Sequence, residues 1–226
     1  MNYGVASGYA DYSGELYIIH SLKKTIPQNG VIFDVGANVG DWSQYVIDEY
    51  KDIPYKLYLF EPSLKTFEKL TQNITIFENR FLYPLGLGDK EEKLNIYYDF
   101  EGEGSASILK KDGHYYEEIE ITTLDIFCQK NGIQTIDFLK MDVQGYEYNI
   151  LLGAKQMLAE EKIKCIQFEF DEPNIANRIF FKDFWDLLHE KYDIYHSLYN
   201  GLIQIEKYHY SLENFSCMNY LAIHKQ

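Results

Sequence analysis

Short apolar runs alternate with amphipathic stretches along almost the whole chain, the rhythm of a mostly parallel sheet with helices on both faces. Residues 31–34 form an apolar run stopped at Gly36 and predict a buried strand, after which Trp42, Tyr45, Val46 and Tyr50 recur at helical spacing. A second strand follows over 57–60, and Pro62 and Ser63 open a helix with Leu64, Phe67, Leu70 and Ile74 on one face. A third strand is predicted over 81–87. Gly86, Gly88 and Asp89 bend it toward a fourth over 94–98, a hairpin-like excursion.

The Gly/Ser-rich segment 101–107 reads as a loop, and a strand over 117–122 leads into a helix from Thr123 to Gly132 with Asp125 in its first turn. Residues 136–141 predict a buried strand. Beyond Gln144 and Gly145, the spacing of Ile150, Leu151, Ala154 and Leu158 predicts one long helix, followed by a strand over 164–170. A helix over 180–190 precedes strands over 192–198 and 202–207, which flank the hairpin signal Asn200-Gly201, and a strand over 218–224 closes the chain. No repeat or linker interrupts this rhythm, so residues 1–226 read as one domain with a short N-terminal helical extension over 1–28.

Composition narrows the function. With 226 residues and 46% apolar positions the chain can bury a core without staples, and its 21 Tyr and 14 Phe make that core aromatic. A net charge of −14 argues against nucleic-acid backbones and against a polybasic membrane anchor. Cys128, Cys165 and Cys217 are odd in number and lack zinc-site spacing, so they read as reduced thiols of a cytoplasmic protein. No secretory leader and no apolar run long enough to span a membrane are expected.

Candidate chemistry gathers at the ends of the predicted strands. The turn Asp34-Val35-Gly36-Ala37-Asn38-Val39-Gly40 joins a buried strand to a helix, where backbone N–H groups can meet a ligand's polar tail. Its Gly-x-x-x-Gly spacing lacks the full dinucleotide cradle and suits a smaller anion, such as an amino-acid carboxylate; a tight turn without ligand gives the same pattern. Glu61 ends the second strand, where a carboxylate can accept both hydroxyls of a ribose. Together they describe a nucleoside pocket at the carboxyl edge of a doubly wound sheet.

Five segments then occur in order: 33–40 (FDVGANVG), 60–62 (FEP), 85–89 (LGLGD), 123–125 (TLD) and 139–147 (LKMDVQGYE). The set, over about residues 31–155, resembles the FkbM family of S-adenosylmethionine-dependent methyltransferases. The resemblance implies an α/β fold of the class I methyltransferase type, a doubly wound, mostly parallel Rossmann-like sheet with an antiparallel C-terminal strand. It makes 31–155 the cofactor-binding core and 156–226 the C-terminal half of the sheet. Asp34, Gly36 and Asn38, with Ala37 and Gly40 in the same turn, would hold the methionine part of S-adenosylmethionine. Glu61, beside Pro62, would hold the ribose, and Gly86 and Leu87 would border the adenine. Asp89 is a candidate for the adenine amino group, although a plain turn explains it equally well. The implied reaction is O-methylation of a small-molecule or glycan acceptor, such as a sugar, a polysaccharide precursor or a natural-product alcohol.

Methyl transfer to a hydroxyl needs in-line alignment and a base. Asp142 and Glu169, each at the end of a predicted strand, are the candidates, with His114 as a further base from the loop region; Asp142 also belongs with the cofactor-binding residues. Gln144 stands where the family usually carries Glu, which leaves Asp142 and Glu147 as the pocket acids, Glu147 serving equally as a favourable charge in a first helical turn. No metal ligand set is assigned, although Asp142, Glu169, Asp171 and Asn174 offer oxygens to Mg²⁺. Lys140 either supports Asp142 or extends to solvent. Ser105 and Ser107 suggest a lid. Two rival functions use the same residues: a nicotinamide-dependent oxidoreductase or epimerase, and a nucleoside-binding module without catalysis.

Overall fold

The computed structural model describes residues 14–75, 77–98 and 115–225. The expectations for His114, for Ser105 and Ser107 as a lid, and for the first 13 positions concern residues outside that set. Strands β1 (Gly30–Val35), β2 (Tyr55–Phe60), β3 (Arg80–Tyr83), β7 (Phe138–Met141) and β8 (Cys165–Phe170) run parallel. Next to β8 lie β11 (Met218–His224), β9 (Tyr192–Leu198) and β10 (Gly201–Ile205), each antiparallel to its neighbour. The full order of the eight-stranded sheet is β10-β9-β11-β8-β7-β1-β2-β3. Chain progression therefore reverses between β1 and β7, the switch point at which open α/β sheets receive ligands.

Register brings the candidate residues to one edge. Val35 pairs with both Phe60 and Met141, and Met141 pairs with Phe168. The next residue on each strand, Gly36, Glu61, Asp142 and Glu169, thus begins the same row at the carboxyl edge.

Alternation along the strands feeds two cores. Phe33, Tyr58, Phe60 and Phe168 face one side, where they meet Phe127 of α4 (Leu124–Asn131) and Phe181 and Phe184 of α8 (Phe181–Leu188). Ile32, Leu57 and Leu59 face the other, against α1 (Glu15–Leu22), α2 (Asp41–Glu49) and α3 (Leu64–Asn73). Phe168 stacks on Phe184 with ring centroids 4.5 Å apart. Each such side chain, fully buried, contributes about 1.5–3 kcal/mol. Ser63 caps α3 by accepting from Thr66 N at 3.3 Å, and Thr123 caps α4 by accepting from Ile126 N at 3.1 Å.

Two expectations are corrected. The predicted third strand breaks at Pro84, which has no N–H to continue a ladder: β3 stays in the main sheet, while β4 (Gly86–Gly88) pairs parallel with β6 (Tyr115–Thr123). β5 (Glu92–Tyr98) pairs antiparallel with β6 and makes no hairpin with β3, so a separate three-stranded sheet, β4-β6-β5, forms in place of the excursion. The long helix is likewise two, α5 (Glu147–Leu152) and α6 (Lys155–Ala159), interrupted at Gly153. The cause is tertiary: a Cβ on Gly153 would sit on the carbonyl oxygen of Gly88, and the Asp125 carboxylate accepts from Gln156 N at 2.8 Å and Met157 N at 3.0 Å, capping the second segment. A short helix α7 (Pro173–Asn177) follows β8.

The contact between Gly153 and Gly88 clamps the small sheet to the helical segment that follows β7. Gly153→Ala is expected to destabilise the fold by about 1–3 kcal/mol through overpacking. Differential scanning calorimetry should show this as a fall in Tm of roughly 2–4 °C per kcal/mol.

Candidate active site

The turn after β1 is built on a backbone conformation that only glycine tolerates here. Gly36 has φ +78°, and a Cβ on it would collide with the carbonyl oxygen of Asp142. Its N–H and that of Ala37 donate to Phe60 O at 3.0 and 2.9 Å, tying the turn to the end of β2. The Asn38 N–H donates to Glu61 Oε2 at 3.0 Å, and the Ser63 N–H donates to Glu61 Oε1 at 3.0 Å. One N–H on each oxygen fixes the carboxylate and leaves further lone pairs to accept from a ligand. Burial nevertheless pushes the Glu61 carboxyl up to about 7, against the pull of those two N–H groups.

A cavity of about 190 Å³ opens at this edge. Of the residues expected to bind cofactor, Gly36, Asn38, Glu61, Pro62, Gly86, Leu87 and Asp142 line it. Val143, Gln144 and Tyr146 continue the wall from the turn after β7, and Ile96, Ile119 and Ile121 close it from the small sheet. The isoleucine wall escaped the sequence reading. Its signal is the alternation of Ile119 and Ile121 with Glu118 and Glu120, a strand with one dry face.

The other expected cofactor residues stand away from the cavity. Asp34 is fully buried beneath its floor, where Oδ2 accepts from Ser43 Oγ at 2.6 Å and Oδ1 accepts from Lys140 Nζ at 3.0 Å. Ala37 packs into the core on the α2 side. Gly40 precedes α2 with φ +98° and packs on Leu70 and Ile74. Asp89 is exposed and does not line the cavity; together with burial, its charge raises the pKa of Tyr146, which does line it.

Lys140 does not extend to solvent. Its ammonium, 3% exposed, lies 3.0 Å from Asp34 Oδ1 and 3.7 Å from Asp142 Oδ2, over the Trp42 ring at 5.6 Å. Burial pulls its pKa down, but the carboxylates of Asp34 and Asp142 outweigh burial and hold it charged. Asp142, with 42% of its side chain exposed, is the acid of this group that opens into the cavity.

Behind Asp142 lies a group of buried acids. Glu147 is fully buried: Oε1 accepts from Val143 N at 2.8 Å, and Oε2 has no hydrogen-bond partner among the described residues. Burial pushes its carboxyl up to about 8. Glu169, 5% exposed, does not line the cavity; its Oε1 accepts from Cys217 Sγ at 2.8 Å, and burial and the charge of Asp142 raise its pKa. Asp171 is pushed up to about 6 by burial and by Asp142. Towards the C-terminus Tyr192 and Tyr220 are buried against the sheet, Tyr192 donating to Ile163 O at 2.8 Å, whereas Tyr199 and Tyr210 are exposed.

A carboxyl raised on folding binds its proton more tightly in the native state, so its contribution to stability is full below the unfolded value near 4.5 and is lost as pH rises toward about 8. Urea denaturation between pH 5 and 8.5 should show stability falling, at most about 1.4 kcal/mol per pH unit for each such group. Glu147→Gln should flatten the profile.

Comparison with known proteins fits this geometry. The family model described as the methyltransferase FkbM domain matches residues 34–195. A curated relative, the 2-O-methyltransferase NoeI of Sinorhizobium fredii, is 24% identical over 172 residues, covering 69% of this chain and 68% of the relative. The crystal structure of an FkbM methyltransferase from Methylobacillus flagellatus aligns with TM-score 0.51 at 16% identity over 85% of this chain, which spans 43% of that protein. A putative rRNA-methylase from Clostridium thermocellum shares the fold at TM-score 0.52 and 8% identity, over 93% of this chain and 97% of the other. With a family match across most of its length and the Gly36, Glu61 and Asp142 row at the switch point, the chain belongs to the FkbM family of S-adenosylmethionine-dependent methyltransferases.

Proposed function

We propose that this protein transfers the methyl group of S-adenosylmethionine to a hydroxyl oxygen of a sugar or other neutral alcohol, with Asp142 as the general base. The observation that carries the reading is the single row of Gly36, Glu61 and Asp142 around one cavity. The 2-O-methyltransferase name of the relative supports oxygen as the acceptor atom. The buried thiols Cys128 and Cys165, which form no disulfide, support a cytoplasmic setting. Among the described residues, no helix is long and apolar enough to cross a membrane.

The residues present fit the cofactor. The Glu61 carboxylate is fixed to accept ribose hydroxyls, the turn at Gly36 leaves no room for a side chain, and the isoleucines offer an apolar wall to a purine. Bound S-adenosylmethionine supplies an electrophilic methyl on a sulfonium, whose C–S electron pair stays with sulfur as the acceptor oxygen bonds to carbon. Asp142 takes the hydroxyl proton in that step. Lys140 holds Oδ2 of Asp142 from below, which leaves Oδ1 for the acceptor.

Two measurements test the assignment. Calorimetric titration with S-adenosylhomocysteine should show affinity rising as pH crosses about 7, because the ionised Glu61 accepts the ribose hydroxyls better than the acid. Glu61→Gln should lower affinity about tenfold or more and abolish that pH dependence. Asp142→Asn should lower labelled-methyl transfer to a panel of sugars and alcohols by about 10²-fold or more while leaving S-adenosylhomocysteine affinity within about threefold. Unchanged turnover would remove Asp142 from the role of base.

A further inference from the structure

We propose that Glu169, Asp171 and Cys217 form a binding site for a divalent metal ion of the zinc class, at the carboxyl end of β8 and behind Asp142. The inference concerns a second ligand of the protein and does not depend on the identity of the methyl acceptor.

Strand geometry assembles the three side chains. Glu169 and Asp171 are two apart at the end of β8 and so project to one face. β11 runs antiparallel beside them with Met218 opposite Phe170 and Asn219 opposite Glu169, which brings Cys217 across from Asp171. Cys217 has φ +55°, a left-handed turn into β11. One ligand atom from each of the three residues lies within 4.8 Å of the other two.

The surroundings favour a cation. Glu169 is 5% and Asp171 6% exposed, and among the described residues neither forms an ion pair with Lys, Arg or His. Lys140, the buried ammonium close by, is committed to Asp34 and Asp142. Asp171 Oδ1 is buried without a hydrogen-bond partner among the described residues, as is Oε2 of the adjacent Glu147. Buried carboxylates are expected to be paired or to coordinate metal. Burial and the charge of Asp142 raise the pKa values of Glu147, Glu169 and Asp171, a cost that a divalent cation would relieve.

Ligand chemistry selects the ion. Carboxylates alone would suit Mg²⁺, but a cysteine sulfur shifts the preference toward Zn²⁺ or Co²⁺. Three protein ligands leave a tetrahedral ion one open position. Binding converts the Cys217 thiol to thiolate and releases its proton to solvent.

The test titrates the full-length protein with ZnCl₂, CoCl₂ or MgCl₂ at pH 7.5, by calorimetry in buffers of different ionisation heat and, for Co²⁺, by absorption. The expected result is one equivalent of Zn²⁺ bound with proton release, a thiolate-to-Co²⁺ charge-transfer band, and Mg²⁺ binding at least about a hundredfold weaker, in line with its preference for oxygen ligands. Cys217→Ser should abolish the band, and the isosteric Asp171→Asn should weaken Zn²⁺ at least about tenfold, one lost ligand at the scale of a lost charged contact. Absence of Zn²⁺ binding, a Co²⁺ spectrum without the thiolate band, or affinity unchanged in both variants would overturn the proposal. Such a failure would leave S-adenosylhomocysteine binding and methyl transfer as they stand.

Discussion

A buried ammonium between two carboxylates organises the active edge. Asp34 and Lys140 are register partners on adjacent parallel strands, so their pairing fixes how β1 and β7 align. Slipping either strand by one residue would turn every side chain to the opposite face and leave two charges in the core without each other, a loss on the scale of about 3–5 kcal/mol for a broken buried pair. With that register set, the turns after β1 and β7 start level, and the backbone at Gly36 meets the Asp142 carbonyl at the closest approach glycine permits. The same ammonium reaches Asp142 from below, so the pairing that aligns the sheet also anchors the acid that faces the cavity.

Around this centre the two sheets divide the work. The large sheet presents polar groups at its carboxyl edge, and the small one supplies Ile96, Ile119 and Ile121 as the dry wall opposite. The arrangement depends on backbone meeting backbone where Gly88 approaches Gly153, and on Asp125 capping the helix that follows. An apolar wall across from fixed hydrogen-bond acceptors matches what a nucleoside asks of its pocket.

Much of this was legible in the sequence because strand ends announce themselves. An apolar run halted by Gly36, and the acids Glu61, Asp142 and Glu169 that end or follow three such runs, located the edge before any topology was known. What escaped was set by contacts remote in sequence. Nothing within 81–87 except Pro84 marks the transfer from one sheet to the other, and apolar residues on both sides disguise it. The periodicity across Gly153 is helical throughout, and only the carbonyl of Gly88 explains the break. Asp34 was placed by motif at the ligand, whereas its burial is visible only once Lys140 is known to face it. Two opposite charges embedded in two apolar runs were the available clue.

The break at Pro84 carries a consequence for evolution and engineering. The chain leaves the large sheet after Tyr83 and re-enters it at Phe138, so the small sheet and the helix after it form a cassette between two fixed attachment points. Its isoleucines can be exchanged without disturbing the pairing of Asp34 with Lys140 or the row of Gly36, Glu61 and Asp142. The wall that faces a purine can therefore diversify while the strand ends that carry Gly36, Glu61 and Asp142 keep their register, and recombination of this cassette between relatives becomes a direct route to altered cofactor fit.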